Sequence, residues 1–190
     1  MRNKKSFLGL VLIVAVLLLG VGYSISVTEL VVTSNVGATP NDSQFNVHFV
    51  EGTTITPTVL SANKTTDDGT KVVATASVVG PLAAKLDVSN LWAKGDNVEV
   101  IYPIINESTD LSANLTVKIC SDAQCTTELT KSGENYVSGD YLVSATLDDD
   151  SIAHGGNTNV TVTAVLNKTP IDSNIDTLFY VVVFAEPVTP

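Results

Sequence analysis

The chain has 190 residues, 44% of them hydrophobic and only 6% aromatic, with 10 Lys and Arg against 20 Asp and Glu and a formal net charge of −10. An acidic surface of this kind repels phosphate backbones and anionic headgroups, which argues against a nucleic-acid partner and against electrostatic binding to membranes. With 1 Trp and 2 His, a sugar-stacking cleft and a histidine-based metal site are both poorly supplied.

Residues 1–26 read as a leader. Arg2, Lys4 and Lys5 precede an apolar run, Phe7 to Tyr23, and the small residues Gly20, Gly22, Ser24 and Ser26 close it. This is the grammar of a secretory signal peptide, expected to be cut between Ser24 and Val27. The run is slightly long for a signal core and slightly short for a membrane span, so a retained anchor is the alternative. Either way the remainder is expected outside the cytoplasm, extracellular or at the cell surface, touching the membrane only through the leader. It keeps 7 Lys against 20 acidic residues, a formal charge of −13. A type IV pilin leader fits less well, because no acid lies between Phe7 and Thr28.

After residue 26 no helical period stands out. Val-, Thr- and Ile-rich segments alternate and are broken every eight to twelve residues by Gly, Pro, Asn or Asp, the pattern of an all-β sandwich or barrel. Strands are expected near 27–36, 45–50, 56–62, 70–79, 85–92, 97–106, 113–120, 126–131, 140–147, 157–167 and 177–186. With no helical crossover, antiparallel pairing in two packed sheets follows. In NVTVTAVL, Val160, Val162, Ala164 and Leu166 fall on one face. The nearly all-apolar TLFYVVVFAE suits a central strand covered on both faces. Trp92 reads as a core or edge-of-core anchor, and VGPLAAK (79–85) is the one place for a helical turn. TTDDGT and AKGDN put Gly where a positive φ is easiest. GATPNDSQ (37–44) is the one flexible joint, dividing the 27–36 strand from a domain over 45–190.

Cys120 and Cys125 are no zinc signature, because no second cysteine pair exists and both His are far away. In an oxidising compartment they are expected to pair across a hairpin with SDAQ as the turn. So short a loop gains little chain entropy. His48 and Glu51 are three apart, which in a strand puts them on opposite faces. His154 sits in a Gly-rich loop. No HExxH, GxSxG, P-loop or GxGxxG occurs, so no enzyme and no cofactor are expected. Asp67, Asp68 and Asp148 to Asp150 are candidate calcium ligands, weighed against plain solvated turns. Six N-x-[ST] sequons start at Asn41, Asn63, Asn106, Asn114, Asn159 and Asn167.

Three stretches carry a family resemblance: LLLGVGYSISVTELVVTSNVGA followed by NDSQFNVHF, LWAKGDNVEVIYPIINESTDLSANLTV (91–117), and GGNTNVTVTAVLNKTP (155–170). Together they resemble the TasA/camelysin family of secreted matrix-fibre proteins. The resemblance implies a jelly-roll-like sandwich, after an N-terminal hydrophobic segment, whose copies polymerise into a biofilm-type filament or pilus by donor-strand complementation. The donor strand would be residues 27–36, including Val27, Leu30, Val32 and Val36, with Leu30 and Val32 entering the neighbour's groove. Gly37 and Pro40 would belong to the hinge. The only partner implied is a further copy of the chain, in a head-to-tail contact that does not close on itself. Some camelysin relatives carry a metalloprotease label, but this chain lacks the zinc ligands for it. The competing reading is a monomeric, membrane-anchored adhesion module recognising a protein or glycan through its loops.

Overall fold

The computed structural model describes residues 45–60, 69, 71–168 and 176–188. The leader, the expected donor strand 27–36, the hinge 37–44 with Gly37 and Pro40, Asn41, Asn63, Asp67 and Asp68 lie outside the described residues.

The described residues form twelve strands and no helix. In chain order they are β1 (Val47–Phe49), β2 (Thr58–Leu60), β3 (Val73–Gly80), β4 (Ala83–Ser89), β5 (Asn97–Asn106), β6 (Ser112–Cys120), β7 (Lys131–Ser132), β8 (Asn135–Ser138), β9 (Tyr141–Leu147), β10 (Ser151–Ile152), β11 (Asn157–Leu166) and β12 (Thr177–Val188). Every pairing is antiparallel. One sheet runs β1-β5-β11-β9-β8-β7 with β2 also on β5, and the other runs β10-β6-β12-β4-β3.

The core lies between the sheets and follows from strict alternation. On β5, Val98, Val100, Tyr102 and Ile104 are buried while Ile101 between them is half-exposed. On β11, Val160, Val162, Ala164 and Leu166 all point inward and are fully buried. The second sheet answers with Leu86, Val88, Ile119, Phe179, Val181 and Val183. The Tyr102 hydroxyl crosses the gap and donates to the Lys85 carbonyl at 2.9 Å, and burial pushes its pKa well up, so it stays a donor.

Polar contacts close the ends. Asn106 is fully buried. Its Nδ2 lies within hydrogen-bond distance of the carbonyls of Leu111, Ile152 and Ala153, and its Oδ1 accepts from Ser108 N at 3.0 Å. One side chain thus holds the β5–β6 connection and β10 together. Asn106→Ala strands these groups away from water and is expected to cost about 2–3 kcal/mol, read as a lower urea midpoint at unchanged slope. Gly69 and Gly95 take the expected positive φ, at 81 and 97. Asp96 is buried beside Gly95 and accepts from Ala93 N at 3.0 Å.

Several expected elements are corrected. VGPLAAK is no helical turn but the tight hairpin from β3 to β4. The single strand expected at 126–131 is instead an isolated bridge from Cys120 to Glu128, followed by the short pair β7 and β8. The acidic loop after β9 contains β10. The strand expected through Trp92 ends at Ser89, because Asn90 turns the chain at φ 63. Trp92 is only half-buried, and Leu91 beside it is the core anchor at 2% exposure.

Candidate functional site

A sheet edge is a row of unpaired backbone N–H and C=O groups, and folded proteins blunt such rows with charge, proline or brevity. Three of the edges here obey that rule. β7 is two residues long and begins with Lys131. β10 is also two residues long and follows Asp148 to Asp150. β1 and β2 have three residues each.

β3 does not. It runs for eight residues, VATASVVG, with neither charge nor proline. It pairs with β4 on one side, from Val73↔Ser89 to Gly80↔Ala83, and no described strand pairs with the other. Its inward row, Ala74, Ala76 and Val78, packs against the core yet stays only partly buried. The matching row on β4, Ala84, Leu86 and Val88, is fully buried. The inner layer of the sandwich is therefore covered up to β4 and left half-open under β3. Val73 and Val79 are exposed as well, at 48% and 46%.

The opposite sheet is incomplete at the same place. Phe49 faces Ile104 on β5, and Thr58 faces Glu99. Val50 N still donates to the Pro103 carbonyl at 2.9 Å, so residues 51–57 span a stretch that residues 100–102 cover on β5. The surplus forces them off the ladder like an enlarged β-bulge. A cleft of about 590 Å³ lies between this excursion and β3, lined by residues 51–55 and 76–80. Phe49 N donates to the Pro81 carbonyl at 2.7 Å and fixes one end of the cleft to the β3–β4 turn.

The chain enters the described domain beside the end of β5, and its entry is fastened. Asn46 N donates to Ser108 Oγ at 2.9 Å, and Glu107 N donates to the Asn46 carbonyl at 2.7 Å. His48 lies here, half-buried, its Nε2 3.9 Å from Glu107 Oε2 and its Nδ1 3.2 Å from Asn46 Oδ1. Glu51 is off β1 in the following turn, so it does not join His48 in a metal site.

Cys120 and Cys125 are bonded, with Cα atoms 5.1 Å apart. Cys120 ends β6, while Cys125 lies in the loop that follows rather than on an opposing strand. Asp122 organises that loop: its carboxylate accepts from Gln124 N, Thr126 N and the hydroxyls of Thr126 and Ser121. These bonds hold its carboxyl below the ordinary range. The loop lies on the outer face of the second sheet, where Ala83, Cys120 and Val182 form a small apolar cluster with Ala123, Cys125, Tyr180 and Phe184 against it. Sequence reasoning missed this cover. Its signal is Val182, an apolar residue out of phase with the inward row of β12.

Glu128 then clasps the crossing between sheets. Its Oε2 is 2.9 Å from Lys118 Nζ, and Tyr136 Oη donates to its Oε1 at 3.1 Å. The hydrogen bond from Lys118, with that from Tyr136, holds the carboxyl below its ordinary range. A depressed folded-state pKa stabilises the fold above the unfolded pKa, and the gain is lost as pH falls through the folded value. Glu128→Gln is therefore expected to lower the urea midpoint at neutral pH, with the gap to the parent closing below about pH 4.

No group of three or more His, Cys, Asp or Glu is arranged for a metal among the described residues. Asp148 accepts from Asn159 Nδ2 at 2.9 Å, and the backbones of Asp149 and Asp150 bond to Thr158 and Leu115. His154 is exposed in the turn before β11. Of the sequons, Asn114 and Asn167 are exposed, whereas Asn106 has its amide consumed inside the fold and presents no acceptor. Compared with known protein families, curated proteins and solved structures, the chain gives no match.

Proposed function

We propose that this chain is a secreted, non-enzymatic structural subunit of an extracellular fibre, its copies joined head to tail by a strand that each contributes to the next. The observation that carries this reading is the edge of β3: eight uncharged residues, one side unpaired among the described residues, above an inner row only half-covered. Such an edge is a template for an added strand.

The donor in this reading is residues 27–36, freed by leader cleavage between Ser24 and Val27 and carried on the hinge 37–44. Its alternation suits the task. Thr28, Leu30, Val32, Ser34 and Val36 share one face, and Val27, Glu29, Val31 and Thr33 the other. Only the first face can turn inward without burying the Glu29 carboxylate. The two-sheet sandwich is then read as jelly-roll-like, completed in the fibre by a strand from outside. A contact between unlike surfaces does not close on itself, so it yields a filament.

The test is a synthetic peptide of residues 27–36 added to the exported protein during assembly. It is expected to occupy free β3 edges and shorten filaments in proportion to its concentration. Filaments whose length is indifferent to saturating peptide would exclude the reading.

A further inference from the structure

We infer that the incoming strand is received in a slot with two walls, β3 on one side and residues 53–56 on the other, and that 53–56 becomes a strand only when a second copy's residues 27–36 fill the slot. The inference rests on the fibre reading above and adds to it a receiving element that no ladder in the described domain uses.

The excursion between β1 and β2 has the side-chain pattern of a strand without the pairing. Ile55, Pro57 and Val59 are half-buried, while Thr54, Thr56, Thr58 and Leu60 alternate with them and are exposed. Ile55 and Val59 both pack against the core. Period-two burial means extended backbone with one face on the core. Yet only Thr58–Leu60 of this run is paired to β5. The four surplus residues hold 53–56 away from β5, and Thr53, Thr54 and Ile55 line the cleft opposite Ala76 to Gly80.

Adding a strand to one edge satisfies one of its two rows of backbone groups. Seating it between two extended segments satisfies both, and that is what the cleft offers. Pro57 carries no N–H and marks the end of the second wall. The chemistry of the slot fits the occupant. Ala76, small and only partly buried, leaves room in the cleft, into which Leu30 and Val32 of the other copy bring bulk. Glu51 is the one charged residue lining the cleft. A further carboxylate is disfavoured beside it, whereas the even-numbered face of 27–36 is uncharged.

Backbone amide exchange on filaments of the exported protein, compared with dissociated subunits, tests this. Assembly is expected to slow exchange in 73–80 and in 53–56 together. Filaments that protect 73–80 while 53–56 exchange as in the free subunit would overturn the two-walled slot and leave strand addition standing. Filaments that protect neither would overturn both. Proline substitution gives a second reading. Successive N–H groups of an extended chain point to opposite sides, so of Thr53→Pro and Thr54→Pro one removes a donor facing the slot. That variant is expected to polymerise about tenfold less well at fixed concentration, and the other near the parent level. Both are expected to keep the parent urea midpoint, since neither residue sits in a ladder. Parent-level polymer from both variants would contradict the inference.

Discussion

Deleting residues 27–36 is expected to abolish polymer and to leave the urea midpoint of the remaining domain unchanged. The second half of that expectation follows from the ladders. The strands from Val47 to Val188 pair among themselves, and the core draws on both sheets within that span. What the deletion removes, on the fibre reading, is the strand a neighbour would have received. The competing adhesion-module reading gives the opposite result. If 27–36 completes its own domain along β3, its loss uncovers Ala74, Ala76 and Val78, and the midpoint falls. Sedimentation velocity and a urea titration on the truncated and parent chains separate the two.

The largest expected effect on folding is at Phe179. It lies on β12, the middle strand of the second sheet, faces Leu86 on β4 and is fully buried. Phe179→Ala opens a cavity among residues held by ladders on both sides, so the site has little freedom to collapse. The expected cost is about 3–5 kcal/mol, a large share of the stability of an ordinary domain. Leu178→Ala next to it alters a side chain that is 47% exposed on the outer face. It is expected to shift the midpoint far less. Parallel urea titrations check the contrast, and equal losses at the two positions would contradict the assigned register.

The parts of the fold legible in the sequence are those with enough periods to show one. β5 and β11 are ten residues each, sit inside their sheet and bury alternate residues, so period-two reading locates them within a residue. β7 and β10 have two residues apiece and carry no period at all. β4 escaped at its start for a different reason. Ala83 and Ala84 are adjacent and both buried, Ala84 on the core and Ala83 in the apolar cluster on the outer face. That breaks the alternation and leaves a small-residue run that looks helical. The second wall of the slot was equally hidden. EGTTI lies between the strands expected at 45–50 and 56–62, and only the register of β1 and β2 along β5 reveals the surplus that holds it off the sheet. The open edge of β3 had a visible sign, since TKVVATASVV lacks charge after Lys71. A single sequence does not say which strand ends up at an edge.

Electron microscopy with sedimentation velocity on purified residues 27–190, across a wide concentration range, separates a fibre subunit from a monomer. Filaments that lengthen with concentration and are shortened by the free 27–36 peptide are expected. A stable monomer at every concentration would contradict the fibre reading.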